Sequence, residues 1–180
     1  SKDLISSPLW QTKIPEDLVI ATNAKAEGPR PILKKFSNKS EEKEWLIKFL
    51  RESQNVRTVI VLRTRNEVDE IKNLLGKSKI KTRDLSSYHI SQSLSSNIFV
   101  DTYHSVKGIE FETVILPFMD SDTFPLKEKI DSSNNQEEAM ADELKLFYVA
   151  TTRSKLNLIM TYSKTLTPLF PGESDNYDLI

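Results

Sequence analysis

The chain has 180 residues, and its 25 lysine and arginine residues nearly balance 26 aspartate and glutamate residues, leaving a formal net charge of −1. That length supports one domain with a substantial core, and the 38% apolar and 28% charged content is typical of a globular protein. With no cysteine and two histidines, the sequence excludes disulfide scaffolds and thiolate metal sites and predicts no metal site. No apolar run reaches the length of a membrane span, so we expect a cytoplasmic protein with no membrane partner.

Residues 1–29 predict an irregular N-terminal segment, because prolines interrupt them and no helix or strand pattern begins there. We expect this segment to belong to a longer chain. A short strand follows over residues 31–36, and the proline at its start is typical of a sheet edge. Ser40 then predicts the cap of an amphipathic helix.

Residues 57–62 form the most strand-like run in the sequence, of the kind that parallel sheets bury on both faces. Thr64 and Glu67 form a capping-box pattern at the start of a second helix. The tripeptide that begins at Gly76 is similar to the end of a phosphate-binding P-loop. It follows a helix rather than a strand, however, and Ile71 stands where the motif requires a second glycine. The sequence therefore predicts a helix end here and no P-loop.

The stretch from Thr102 to Phe111 joins two predicted strands, 98–100 and 114–116, and is dense in polar groups. Loops at strand ends of an α/β sheet are frequent ligand sites, and Gly108 permits a positive φ or a close backbone approach. An ordinary polar connection with a turn glycine explains the pattern equally well, so both interpretations stay open at this point.

Residues 118–135 predict a surface loop, after which residues 136–152 predict a helix and residues 156–162 a strand. The helix delivers Arg153 at its end, where a basic residue complements the helix dipole without any further role. Residues 166–180 predict a loose tail. Alternating strands and helices over residues 30–165 predict an α/β domain with an open, mostly parallel sheet flanked by helices.

Two segments change this interpretation when they are taken together. The first matches the pattern T-x-H-x-x-K-G-x-E-F through Thr102, His104, Lys107, Gly108, Glu110 and Phe111. The second, from Asp142 to Arg153, matches E-E-x-x-L-x-Y-V-A-x-T-R, with Asp142 in place of the first glutamate. Both resemble the second motor lobe of UvrD/Rep-type superfamily 1 helicases. Arg63 is similar to the arginine of that family's V-L-x-R-T segment.

The resemblance implies a RecA-like lobe that lacks a P-loop and completes an ATP site, with the P-loop and magnesium carried by another lobe. Arg153 is then expected to reach the γ-phosphate, where a permanently charged guanidinium stabilises the charge that develops during phosphoryl transfer. Glu110 is expected to accept a hydrogen bond from the ribose, with Gly108 and Arg63 also at the nucleotide. The 180 residues alone are expected to be inactive as an ATP hydrolase.

The resemblance also implies two partners, namely single-stranded DNA, with RNA as the alternative strand, and the N-terminal motor lobe of the parent protein. Thr102, His104 and Lys107 are expected to contact the nucleic acid. Two other classes stay open from the residues themselves. One is a non-catalytic nucleic-acid-binding or regulatory module with a degenerate helicase-lobe fold, and the other is an unrelated α/β enzyme that uses His104 with Glu110.

Overall fold

The computed structural model describes residues 29–87, 96–170 and 177–180. The predicted irregular segment 1–29 therefore lies outside the described residues, apart from its last position. The strands are β1 (Ile32–Lys35), β2 (Thr58–Leu62), β3 (Ile98–Thr102), β4 (Phe111–Leu116), β5 (Ser154–Tyr162) and β6 (Asp178–Leu179). The helices are α1 (Lys39–Glu52), α2 (Arg65–Lys77), α3 (Lys127–Asp131) and α4 (Gln136–Thr151). In these ranges, no helix has the length and apolar character needed to cross a bilayer.

Every strand pairing in the sheet is parallel, and the strand order is β3-β2-β4-β5-β1-β6. The predicted α/β fold with an open, mostly parallel sheet is confirmed. All residues of β2 are buried, as its continuous apolar run predicts for a strand inside a parallel sheet. β1 pairs with β5 only from Ile159 onward, so the first residues of β5 extend beyond the amino end of β1.

The strands divide their side chains between two apolar layers. In β2, Val59 and Val61 belong to the layer that contains Phe147 of α4, whereas Ile60 and Leu62 belong to the layer under α1 and α2. This division follows from the two-residue period of a strand, which sends successive side chains to opposite faces. α4 therefore covers one face of the sheet, and α1 and α2 cover the other.

Local capping explains where the first two helices begin. Asn38, rather than Ser40, caps α1, because its side-chain oxygen accepts hydrogen bonds from the backbone N–H groups of Ser40 and Glu41, each at 3.0 Å. The capping box of α2 is confirmed. The Thr64 hydroxyl accepts from the Glu67 N–H at 3.3 Å, and the Thr64 N–H donates to the Glu67 carboxylate at 2.8 Å.

The segment 118–135 is not the surface loop that its composition predicts. It contains α3, and its first half includes four buried residues, Phe118, Met119, Asp120 and Phe124. The Asp120 carboxylate accepts from the backbone N–H groups of Ser163 at 3.0 Å and Lys164 at 2.7 Å. A buried carboxylate with two backbone donors thus ties this segment to the end of β5.

The prediction of a loose tail over residues 166–180 is wrong for the residues that the structure describes. Leu169 and Phe170 are buried, and the Phe170 ring packs edge-on against Phe147 of α4, with ring centroids 6.4 Å apart. Farther on, β6 pairs in parallel with β1, and the Asp178 N–H donates to the Pro31 carbonyl at 2.9 Å. The tail therefore adds apolar packing and covers the free edge of β1.

Glu42 is a carboxyl group buried in the first turn of α1, with 1% of its surface exposed. Its Oε1 accepts from the Phe118 N–H at 2.8 Å and from the Thr161 hydroxyl, whereas Oε2 has no partner among the described residues. Burial, together with the nearby charge of Asp120, raises the pKa of Glu42 above its ordinary value despite those hydrogen bonds. The Glu42 carboxyl therefore binds its proton more tightly in the folded protein than in the unfolded chain.

The buried Glu42 predicts a specific pH dependence of stability. Because its pKa is raised in the folded state, its stabilising effect is complete below pH 4.5 and is lost as pH rises through the folded pKa. We expect Glu42→Gln to remove this loss, which for one proton reaches at most about 1.4 kcal/mol of unfolding free energy per pH unit. Urea denaturation from about pH 5 to pH 8 measures it. The control is Glu44→Gln, an exposed position on the same helix, and equal pH profiles for both variants would contradict the prediction.

Candidate functional site

The loop that carries the first motif runs the full length of the sheet. β3 and β4 both pair in parallel with β2, so residues 103–110 leave the carboxyl end of β3 and return to the amino end of β4. Two buried side chains, Tyr103 and Val106, anchor this return. The Tyr103 ring stacks on Phe124 with centroids 5.3 Å apart, and its hydroxyl donates to the Met119 sulfur at 3.3 Å. One loop therefore contributes residues to both edges of the sheet.

A cleft of about 450 Å³ opens at the amino edge of the sheet, and we call it the amino-edge cleft. Its lining combines the end of the loop before β4, the start of β5 with the turn residue before it, and the residue before β2. The lining residues are Arg57, Lys107, Gly108, Ile109, Glu110, Arg153 and Lys155. Three residues that the sequence assigns to a nucleotide, Gly108, Glu110 and Arg153, thus lie together.

Arg153 is held at the point where α4 passes into β5. Its Nε donates to the Val149 carbonyl at 3.0 Å, and its Nη2 donates to the Thr152 hydroxyl at 3.1 Å. Its own carbonyl accepts from the Phe111 N–H at 2.9 Å, which fixes the backbone beside β4. No described contact engages Nη1 and no described carboxylate pairs with Arg153, so the half-buried guanidinium can still bind an anion.

Gly108 adopts a φ of +83°, in the left-handed region that an L side chain rarely occupies. A Cβ at this position would meet no atom within 4 Å, so backbone conformation rather than crowding explains the glycine. Glu110 follows on the exposed rim, and its Oε2 lies 3.1 Å from the Lys155 ammonium. Because a carboxylate only accepts hydrogen bonds, Glu110 suits a ligand hydroxyl better than a phosphate.

Sequence analysis missed two cations of the amino-edge cleft. Arg57 directly precedes β2, and its guanidinium lies 5.4 Å from the centroid of the Phe111 ring. Lys155 is the second residue of β5. The signal for Lys155 was its spacing, because it follows Arg153 by only two residues in the sequence. Arg57 carried no such signal, since only the strand order brings β2 beside β4.

Thr102 and His104 lie at the opposite, carboxyl edge of the sheet. The Thr102 hydroxyl is 3.0 Å from the Ser105 hydroxyl, and His104 is exposed. Partial burial, with the positive charges of Arg63 and Lys129, lowers the pKa of His104 below its ordinary value. Its imidazole is therefore neutral at pH 7, with one donor and one acceptor nitrogen.

Lys107 was predicted to contact nucleic acid together with Thr102 and His104. The structure places Lys107 in the amino-edge cleft with Gly108 and Arg153, apart from Thr102 and His104, and its nucleic-acid contact stays a prediction. The reason is the path of the loop, which by residue 107 has already returned toward the start of β4.

Arg63 occupies a different environment from Arg153. It follows β2 at the carboxyl edge and does not line the amino-edge cleft. Its Nε and Nη2 each donate to one oxygen of Glu143 at 2.7 Å, in a pair that is 9% exposed on the arginine and fully buried on the glutamate. Burial alone would raise the pKa of Glu143, yet these hydrogen bonds hold it below its ordinary value. A nucleotide contact for Arg63 stays a prediction.

Glu143 also gathers donors from the segment before α4. It accepts from the Leu126 N–H at 3.2 Å and from the Lys129 ammonium at 3.3 Å. This carboxylate thus joins the end of β2 and α3 to the middle of α4. Within the described residues, no group of three or more carboxylate or imidazole side chains is placed to hold a metal ion.

Comparison with solved structures defines the class of fold. The structure resembles the C-terminal domain of a possible DNA helicase from Lactobacillus plantarum WCFS1, with a TM-score of 0.62 and 16% identity over 87% of this chain and 88% of that chain. It also resembles the C-terminal domain of the DEAD-box protein Dbp5, with a TM-score of 0.53 and 8% identity over 76% of this chain and 78% of that chain. At such identities the likeness establishes the fold alone, which is that of RecA-like helicase C-terminal domains.

Sequence comparison then supplies the family. Residues 83–165 match the UvrD-like helicase C-terminal domain. The chain is 35% identical over 119 residues to the "Probable DNA helicase II homolog" of Mycoplasma pneumoniae, covering 65% of this chain and 16% of that protein. It is 30% identical over 149 residues to the "ATP-dependent DNA helicase Rep" of Buchnera aphidicola subsp. Schizaphis graminum, covering 74% and 22%. The part of the chain that the family model covers, residues 83–165, is a UvrD-like helicase C-terminal domain, and the whole chain spans less than a quarter of either curated relative.

The buried Arg63–Glu143 pair yields a test by double-mutant cycle. Arg63→Leu leaves a fully buried carboxylate without its main partner, and we expect a loss of about 3–5 kcal/mol in unfolding free energy. Arg63→Leu combined with Glu143→Leu removes the orphaned charge, so the double variant is expected to be more stable than Arg63→Leu alone. Urea denaturation measures the parent, the two single variants Arg63→Leu and Glu143→Leu, and the double variant. Additive losses would show that the two side chains do not act as a pair.

Proposed function

We propose that this chain supplies the second motor lobe of an ATP-dependent DNA helicase or translocase. The observation that carries the proposal is the amino-edge cleft, in which Arg153, from the turn between α4 and β5, meets Glu110 and Gly108, from the loop between β3 and β4. The sequence supplies no P-loop, so the cleft would form half of an ATP site. The names of the relatives, DNA helicase II and ATP-dependent DNA helicase Rep, support the same assignment.

Each cleft residue then has a distinct chemical task. Arg153 would bind the γ-phosphate through its unengaged Nη1 and stabilise charge during transfer, because its other nitrogens are already fixed by Val149 and Thr152. Glu110 would accept from a ribose hydroxyl, and Lys107 would add positive charge at the rim. Magnesium and the P-loop would come from the other lobe, where the ion would neutralise charge on the phosphates.

The carboxyl edge of the sheet would bind the nucleic-acid strand. The Thr102 hydroxyl and the neutral His104 imidazole offer donors that suit phosphate oxygens of single-stranded DNA. The loop from Tyr103 to Glu110 joins this edge to the amino-edge cleft through buried anchors. One continuous segment would therefore couple the opening and closing of the two lobes around ATP to the bound nucleic-acid strand.

Arg153→Ala tests the nucleotide assignment in the full-length protein that carries the P-loop lobe. We expect DNA-stimulated ATP hydrolysis to fall at least about a thousandfold, because transition-state charge loses its arginine. A steady-state phosphate-release assay measures turnover, and thermal melting checks that the lobe stays folded. Arg51→Ala is the matched control, since Arg51 is exposed in the last turn of α1 and does not line the cleft. Normal turnover in Arg153→Ala would favour the non-catalytic module instead.

Thr102 tests the nucleic-acid edge separately. Thr102→Val removes the hydroxyl and keeps the shape, and we expect the affinity for single-stranded DNA to fall about threefold to tenfold, the worth of one hydrogen bond. Thr102→Ser keeps the hydroxyl and is expected to bind as the parent does. Fluorescence anisotropy with a labelled oligonucleotide at fixed salt measures both. Equal affinity for all three proteins would remove Thr102 from the strand contact.

A further inference from the structure

The amino-edge cleft carries more positive charge than the assigned residues account for. Four of its lining side chains are cationic, Arg57, Lys107, Arg153 and Lys155, against the single carboxylate of Glu110. The whole chain has a formal net charge of −1, so this excess is local. A polyanion such as the phosphate chain of a nucleotide matches that excess.

Lys155 is placed to take part in binding. It follows Arg153, the turn residue before β5, by two residues, and both side chains line the amino-edge cleft. The register sets Ser154 opposite Phe111, so Lys155 and Glu110 lie diagonally on either side of that pair. The two charged groups lie 3.1 Å apart, and each side chain is 57% exposed. An ion pair this open to water is weak and exchanges readily.

We propose that Lys155 is a phosphate-binding residue of the nucleotide cleft, held by Glu110 until a ribose hydroxyl takes its place. The inference rests on the proposed function, because it needs a nucleotide in this cleft. A carboxylate that receives a ribose hydroxyl must share or give up the Lys155 ammonium. The released ammonium keeps three donors and stays in the same cleft as Arg153, which would face the phosphates. Without nucleotide, Glu110 and Lys155 thus pair with each other, and with nucleotide Glu110 contacts the ribose and Lys155 a phosphate.

The test compares triphosphate and nucleoside in the full-length protein. We expect Lys155→Gln to raise the KM for ATP about tenfold, the worth of one charge-assisted hydrogen bond, with kcat within about threefold of the parent. Adenosine, measured as a competitive inhibitor, has no phosphate, so its inhibition constant is expected to stay the same or to fall as Glu110 is freed. Lys155→Arg is expected to restore the KM.

A matched control is available just past the other end of β5. Lys164 is 66% exposed and pairs with Asp122 at 2.6 Å, so Lys164→Gln breaks an equivalent surface ion pair away from the cleft. It is expected to leave the KM for ATP unchanged. Melting temperatures of both variants show whether a change in the KM for ATP results from a loss of folding.

Three results would overturn the inference. An unchanged or lower KM for ATP in Lys155→Gln would show that Glu110 and Lys155 form only a surface ion pair. Equal weakening of ATP and adenosine would mean that Lys155 acts only by positioning Glu110. A KM raised equally by Lys164→Gln would assign the effect to surface charge. Failure of the proposed function is distinguishable, because Arg153→Ala would then retain normal turnover, and the assignment of Lys155 would fall with it.

Discussion

The parallel direction of β3 and β4 on the two sides of β2 governs where the functional residues lie. A chain that leaves the carboxyl end of one parallel strand must travel back along the sheet before the next begins. Such a return is often made by a helix, but here residues 103–110 make it as an anchored loop. Polar residues that are adjacent in sequence are thereby separated onto opposite edges. Residues distant in sequence, such as Glu110 and Arg153, are brought together.

A second constraint sets the position of α4 and hence of Arg153. Glu143 accepts hydrogen bonds from Arg63, Leu126 and Lys129, and it lies in the middle of the helix that ends at Arg153. Apolar packing of α4 on the sheet allows some sliding, whereas a buried carboxylate with fixed donors does not. Buried ion pairs add little net stability compared with apolar residues of equal size. The value of this pair therefore lies in fixing the register of α4.

Local patterns predicted strands β1 to β5, helices α1, α2 and α4, and the capping box of α2, because each depends on residues close together in the chain. The motif resemblance also placed Gly108, Glu110 and Arg153 in one nucleotide site, and the structure brings these three into one cleft. What sequence could not supply was strand order, which adds Arg57 to that cleft. Buried contacts distant in sequence were missed for the same reason, as with Phe170 against Phe147 in the tail.

The overhang of β5 beyond β1 has a consequence for self-association. Because β1 pairs with β5 only from Ile159, the strand from Lys155 to Asn157 presents one side of its backbone without a strand partner among the described pairings. Leu156, 54% exposed, adds apolar surface there. An unpaired strand segment of this kind is a template for pairing with the same strand of a second copy. The charge of a lysine on the segment opposes that pairing by repulsion. Lys155 therefore opposes self-association at the rim of the cleft.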